Sequence, residues 1–129
     1  MPVRRESLYP LDWLAKAQRD FKRVKARLNE GDLEDAAFHL QQSVEKCLKA
    51  YLLFKGWKLK KIHDLEALLD EAVRMDKLLE QLRELCQQVT GYYLIERYPM
   101  VGESPSSEEI EEAYKQTDKL MKKIRNAMK

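Results

Sequence analysis

The sequence is poor in the residues that punctuate or cross-link a chain. Only four Gly, four Pro and two Cys occur in 129 residues, so few positions are suited to sharp turns. The two cysteines, Cys47 and Cys86, have no nearby Cys or His partner and fall at apolar helical positions. That excludes a redox motif or metal cluster and leaves two buried, reduced thiols. The two histidines, His39 and His63, each lack a Glu three residues earlier, which removes a di-iron helical bundle. The isolated glycines exclude a Gly-rich phosphate loop. Apolar runs such as 51–54 fall far short of the ~18 to 20 residues of a membrane span. Arg4 and Arg5 have no apolar stretch behind them, so no signal peptide is expected and the location is expected to be cytoplasmic. A net charge of +2 is too small to imply an obligate polyanionic partner.

What is abundant is Leu, Ala, Glu, Lys, Gln and Arg, the residues that lose least on entering a helix. The length suits one domain with a real core. Residues 1–10 read as an N-terminal extension and 11–129 as a single all-α domain, a five-helix up-and-down bundle. Leu11, Leu14, Ala17, Phe21, Val24 and Leu28 form one apolar stripe over 11–29, which Gly31 ends. Asp32 caps a second helix reaching about Lys55, with Gly56 as its stop. Asp64 caps a third helix carrying Leu65, Leu68, Leu69 and Ala72. Asp76 caps a fourth with Leu79, Leu82, Leu85 and Val89 inward, bending at Gly91 and ending near Arg97 before Pro99. Ser106 and Glu109 form a capping box for the last helix, whose stripe runs from Ile110 to Met128.

The second helix has two contrasting sides. Ala36, Ala37, Leu40, Val44, Cys47, Leu48 and Tyr51 make an ordinary core face. Opposite, Gln41, Glu45 and Lys49 follow at four-residue steps with Gln42 and Lys46 beside them. Phe38, Leu52 and Leu53 flank this strip, so it is expected to be half-buried against another helix or a second subunit. Glu45 precedes Lys49 in the favourable order for an intrahelical ion pair, a purely structural use of the same residues. Lysines also crowd 46–61, with Trp57 the sole aromatic among them, a pattern that a solvated loop explains better than a phosphate track.

The run from Ala36 to Ala50, with His39, Gln41-Gln42, Glu45-Lys46 and Lys49-Ala50, resembles the HEPN family, whose second helix bears an H-x-QQ-x-x-EK-x-x-KA pattern. Trp13 in the first helix, the His63-Asp64-Leu65 step and Arg97-Tyr98-Pro99 stand where that family has them. The resemblance implies an α-helical bundle, commonly a homodimer, often paired with a separate minimal nucleotidyltransferase in a toxin–antitoxin-like system. It also implies nucleotide or RNA binding without a cofactor or metal. Many relatives are metal-independent ribonucleases marked by an Arg and a His separated by four to six intervening residues. Here Arg97 is followed at those positions by Gly102, Glu103 and Ser104. A metal-free cleavage needs a proton acceptor for the attacking hydroxyl and a cation near the leaving group. Binding without turnover is therefore expected, with no catalytic residue.

The expected ligand contacts are Gln42, Lys46, Lys49, Arg97 and Tyr98: cations and an amide for phosphate, and a ring for a base. His39, Gln41, Glu45, His63 and Asp64 support the motif, and Asp64 can act simply as a helix cap. Two rival readings follow from the same residues. One is a ribonuclease using His39 or His63 with Arg97; the other is a dimeric helical scaffold with no small ligand.

Overall fold

A computed structural model describes residues 8–62, 64–92 and 105–129. Among them are five α-helices and no strand: α1 (Pro10–Asn29), α2 (Leu33–Phe54), α3 (Leu65–Met75), α4 (Arg83–Thr90) and α5 (Ser107–Ala127). Helices α1 and α2 share the most extensive contact, and α5 packs on both. Helices α3 and α4 close over the remaining side of α2.

The helix boundaries follow local chemistry. Pro10 stands at the start of α1, where its missing N–H costs nothing. Asp32, Asp64 and Ser106 cap α2, α3 and α5, accepting from the backbone N–H groups of Asp35, Glu66 and Glu109 respectively. Gly31 and Gly56 turn the chain after α1 and α2 with φ of 77° and 90°, a region that a side chain would strain. Two long helices joined through Gly31 run antiparallel, as the short connection demands.

One element differs from the sequence expectation. After Asp76 the chain forms a 3-10 helix over Lys77–Leu82 before α4 begins at Arg83. Asp76 does cap it, but by accepting from the N–H of Leu78, two residues on, which tightens the first turn. Three residues per turn align Leu79 with Leu82, both packed on the core, while Leu78 stays exposed. Arg83 then pairs with Asp70 of α3 at 2.7 Å and with Glu80 at 2.8 Å, pinning the junction to its neighbour. Gly91 serves as the C-cap of α4, at the position where a bend is expected. The expected continuation of this helix toward Arg97 lies outside the described residues.

Helix α2 is the centre of the molecule. Thirteen of its residues are buried, on every side of the helix, because α1, α3, α4 and α5 all pack on it. Alanines at 17, 36, 37 and 50 are fully buried and let the helix axes approach closely. Both cysteines lie in this interior, and burial pushes each thiol up to about 12. A buried thiol with so high a pKa offers almost no thiolate near neutrality. Ellman's reagent at pH 8 should therefore leave both unreacted in the native protein and modify both after denaturation. The same shift has a stability sign: the unfolded thiols ionise near 9 while the folded ones keep their protons. The protein should lose stability between about pH 9 and pH 12, read as a falling urea midpoint across that range.

Candidate functional site

Because α2 is enclosed, its polar strip cannot rely on water and must be paired internally. Gln41, Glu45 and Lys49 lie one turn apart and are 0%, 3% and 1% exposed, deeper than the half-burial expected of them. Gln41 Nε2 donates to Glu45 Oε1 at 3.2 Å, and Lys49 Nζ donates to Glu45 Oε2 at 3.2 Å. One carboxylate thus joins an amide and an ammonium into a ladder. The Lys49 ammonium also faces the ring of Trp13 at 5.3 Å, so a buried indole of α1 covers the top of the ladder. At the rim, half-buried Gln42 donates to Gln41 Oε1 at 2.7 Å.

A second network runs beside the first and crosses between helices. Asp20, projecting from α1 and only 4% exposed, accepts from Lys46 Nζ at 2.5 Å. Its other oxygen lies 2.9 Å from His39 Nδ1, and the guanidinium of Arg23 stands 3.7 Å away. His39 Nε2 in turn faces Asp35 Oδ2 at 3.5 Å, and Asp35 accepts from Arg27 Nε at 2.7 Å. Both imidazole nitrogens of His39 therefore point at carboxylates. The ring bridges α1 and α2 through Asp20.

Lys46, like Gln42, is a strip residue that borders the surface. It lines a groove of about 180 Å³ together with Lys16, Arg19 and Arg23 of α1, with Asp20 at its floor. Four cations face one carboxylate, and that carboxylate is already engaged with Lys46. The groove is consequently net positive. Around the corner Arg19 also borders a larger groove of about 310 Å³ between α1 and α5.

The sequence reading places Gln42, Lys46, Gln41, Glu45, His39 and Lys49 in one constellation, and the structure brings all six together on α2. It separates their roles, however. Lys46 and Gln42 border the surface, whereas the Lys49 ammonium is enclosed between Glu45 and Trp13. Asp64 caps α3 through the Glu66 N–H at 3.0 Å. Arg97, Tyr98 and His63 lie outside the described residues. Trp57 packs against the core, so it does not interleave with the exposed lysines 58, 60 and 61. Asp20 and the basic residues of α1 were not legible as site residues. Their signal was nonetheless present, since Lys16, Arg19 and Arg23 recur at helical spacing along one face. No group of three or more His, Cys, Asp or Glu able to hold a metal ion occurs among the described residues. No described helix is long and apolar enough to cross a membrane.

A central helix with a buried acid–base ladder, packed on an antiparallel neighbour with a cationic groove along their seam, defines an all-α helical module. The profile of the HEPN domain matches residues 11–127, and the chain belongs to that family. The fold is shared with TT1696 from Thermus thermophilus, at a TM-score of 0.75 and 25% identity over 91% of this chain and 96% of that one. It is also shared with ST0689, an archaeal HEPN homologue, at a TM-score of 0.75 and 22% identity over 94% and 98%. No curated protein sequence matches the chain.

Proposed function

We propose that this HEPN domain is a nucleotide- and nucleic-acid-binding module without nuclease activity, acting as a homodimer and as the binding partner of a separate minimal nucleotidyltransferase in a toxin–antitoxin-like pair. The observation that carries the binding part is the position of Lys46. Asp20, itself paired with His39, holds its ammonium, and Lys46 lines the groove with Lys16, Arg19 and Arg23. Preorganised cations lose little side-chain entropy on meeting a phosphate, so more of each charge-assisted hydrogen bond remains as affinity. Gln42, half-buried one turn before Lys46, is assigned an amide contact. Lys49 and Glu45 hold that turn in place from the interior. Arg97 and Tyr98 are assigned a second phosphate contact and a stacking ring, roles their chemistry suits.

Purified protein mixed with ATP, GTP or a short RNA should melt at higher temperature. Lys46→Ala and Arg19→Ala should each weaken that binding about tenfold at low salt, the worth of one charge-assisted contact. No thermal shift with any of the three ligands would remove the binding proposal. RNA should remain intact in chelator. The ribonuclease reading using His39 is disfavoured because both nitrogens of that ring face carboxylates, 2.9 Å from Asp20 and 3.5 Å from Asp35. Cleavage abolished by Arg97→Ala together with His63→Ala or His39→Ala would reinstate it. Tight self-association with indifference to every nucleotide would leave the scaffold reading.

A further inference from the structure

Helices α1 and α5 both pack on α2 but touch each other along a narrower seam. Rising positions of α1 meet falling positions of α5, so the two run antiparallel with a furrow between them. The furrow has two parts, of about 310 and 370 Å³, and the stacked rings of Phe21 and Tyr114 stand where they join. From Ala15 to Asn29 it follows α1 for about 21 Å, the length of a helix of about fourteen residues. Phe21, Leu28, Tyr114 and Met121 give it an apolar floor. Its banks are basic: Arg19, Lys22 and Lys25 line it from α1, Lys115, Lys122 and Arg125 from α5, and all six are exposed. Among the described residues two acids also line it, Glu111 and Asp118, and Asp118 is already paired with Lys122 at 2.9 Å. An apolar strip thus runs between two banks of excess positive charge.

That combination selects the occupant. A phosphate backbone would use the cations and leave the floor uncovered. Neither ring offers a face to a base, since Phe21 and Tyr114 cover one another with centroids 4.2 Å apart and Lys25 lies 5.7 Å over Tyr114. A wholly apolar segment would cover the floor but bring the flanking cations no partner. The chain's own start has the wrong sign, because residues 1–9 carry Arg4 and Arg5 against a single Glu6. We infer that the furrow is the docking surface for an acidic amphipathic α-helix of another protein. Its apolar residues at i, i+3, i+4 and i+7 seat on the floor, and Asp or Glu along both of its edges meet the two basic banks. The surface is separate from the groove at Lys46, since Arg19 is the one cation that lines both.

The test is fluorescence anisotropy with three labelled synthetic peptides of about eighteen residues, the length of the furrow plus a fraying turn. The first carries a leucine stripe at helical spacing flanked by glutamates. The second has the same composition in scrambled order, and the third keeps the stripe but has lysine in place of each glutamate. The first should bind at least about tenfold more tightly than either of the others, which lack the apolar anchors or the edge charges. Lys22→Glu with Arg125→Glu should weaken its binding by at least about tenfold, the effect of reversing two rim charges. Lys25→Glu with Lys115→Glu should do the same from the other half of the furrow. Lys58→Glu with Lys60→Glu, an equal change of charge at exposed positions that do not line it, should leave the affinity nearly unchanged. Unchanged melting temperatures of the variants exclude misfolding as the cause. Equal binding of the first two peptides overturns the inference, as does equal loss in all three double variants, because either leaves only a charged surface. Binding of none of the peptides overturns it outright. A dimer in sedimentation velocity that Lys22→Glu with Arg125→Glu dissociates overturns it in favour of a second copy of this chain. A short uridine strand that binds in place of every peptide and is lost in that variant overturns it in favour of nucleic acid.

Discussion

Glu45→Ala should destabilise the protein by about 3 to 5 kcal/mol, the usual consequence of removing one member of a buried ion pair. The reason lies in what remains. Lys49 is 1% exposed and cannot follow its lost partner into water without opening the α1–α2 seam. Gln41, fully buried, loses the acceptor of its amide at the same time. A thermal melt should register this as a fall of roughly 10 °C or more. The double variant Glu45→Met with Lys49→Met should recover most of the loss, because a buried pair replaced by apolar groups of similar volume is often neutral or stabilising. A cost below about 1 kcal/mol for the single variant would mean that the ladder is open to solvent.

Trp13→Ala should cost a similar amount, about 3 to 5 kcal/mol, through a different route. The indole is 4% exposed, and truncating it leaves a cavity between α1 and α2 while stripping the aromatic face from the Lys49 ammonium. Trp13→Leu separates the two effects by keeping apolar volume and discarding the ring. Chemical denaturation of Trp13→Leu, Lys49→Met and their combination gives the coupling between ring and cation, expected at about 0.5 to 2 kcal/mol. Additive behaviour within experimental error would show that the ring merely fills space.

These two variants also bear on function. If the ladder fixes α2 in register with α1, loosening it should weaken phosphate binding at Lys46 even though neither Glu45 nor Trp13 lines that groove. The melt and the ligand titration thus report on one mechanical unit. The contacts of His39 with Asp20 and of Asp35 with Arg27 tie the same two helices nearer the start of α2.

Much of this architecture is written in the order of residues. Five helices follow from apolar repeats at three- and four-residue steps. Asp32, Asp64 and Ser106 cap where their side chains can meet free N–H groups, and Gly31 and Gly56 take the left-handed turns that follow two of the helices. The 3-10 segment after Asp76 was not legible, because Leu79, Leu82 and Leu85 recur every third residue and suit either helix type. Packing on the core and the anchoring of Arg83 to Asp70 selected the tighter winding. The strip from Gln41 to Lys49 was visible as unusual, since so polar a line among large apolar neighbours does not suit a plain solvent face.

What no local pattern contains is which charges meet. Asp20 sits among Lys16, Arg19, Lys22 and Arg23 and reads as one acid on a solvated basic helix. It is 26 residues from Lys46, and only the antiparallel docking of α1 on α2 makes it the anchor of that ammonium. The same docking buries Lys49 and leaves Lys46 at the surface, although both lysines belong to one motif. Helix periodicity depends on neighbours within a turn and is therefore carried by the sequence alone. Exposure and pairing depend on the surfaces that other helices bring, so the division of these lysines into one enclosed by Glu45 and Trp13 and one that borders the surface was decided by the tertiary structure.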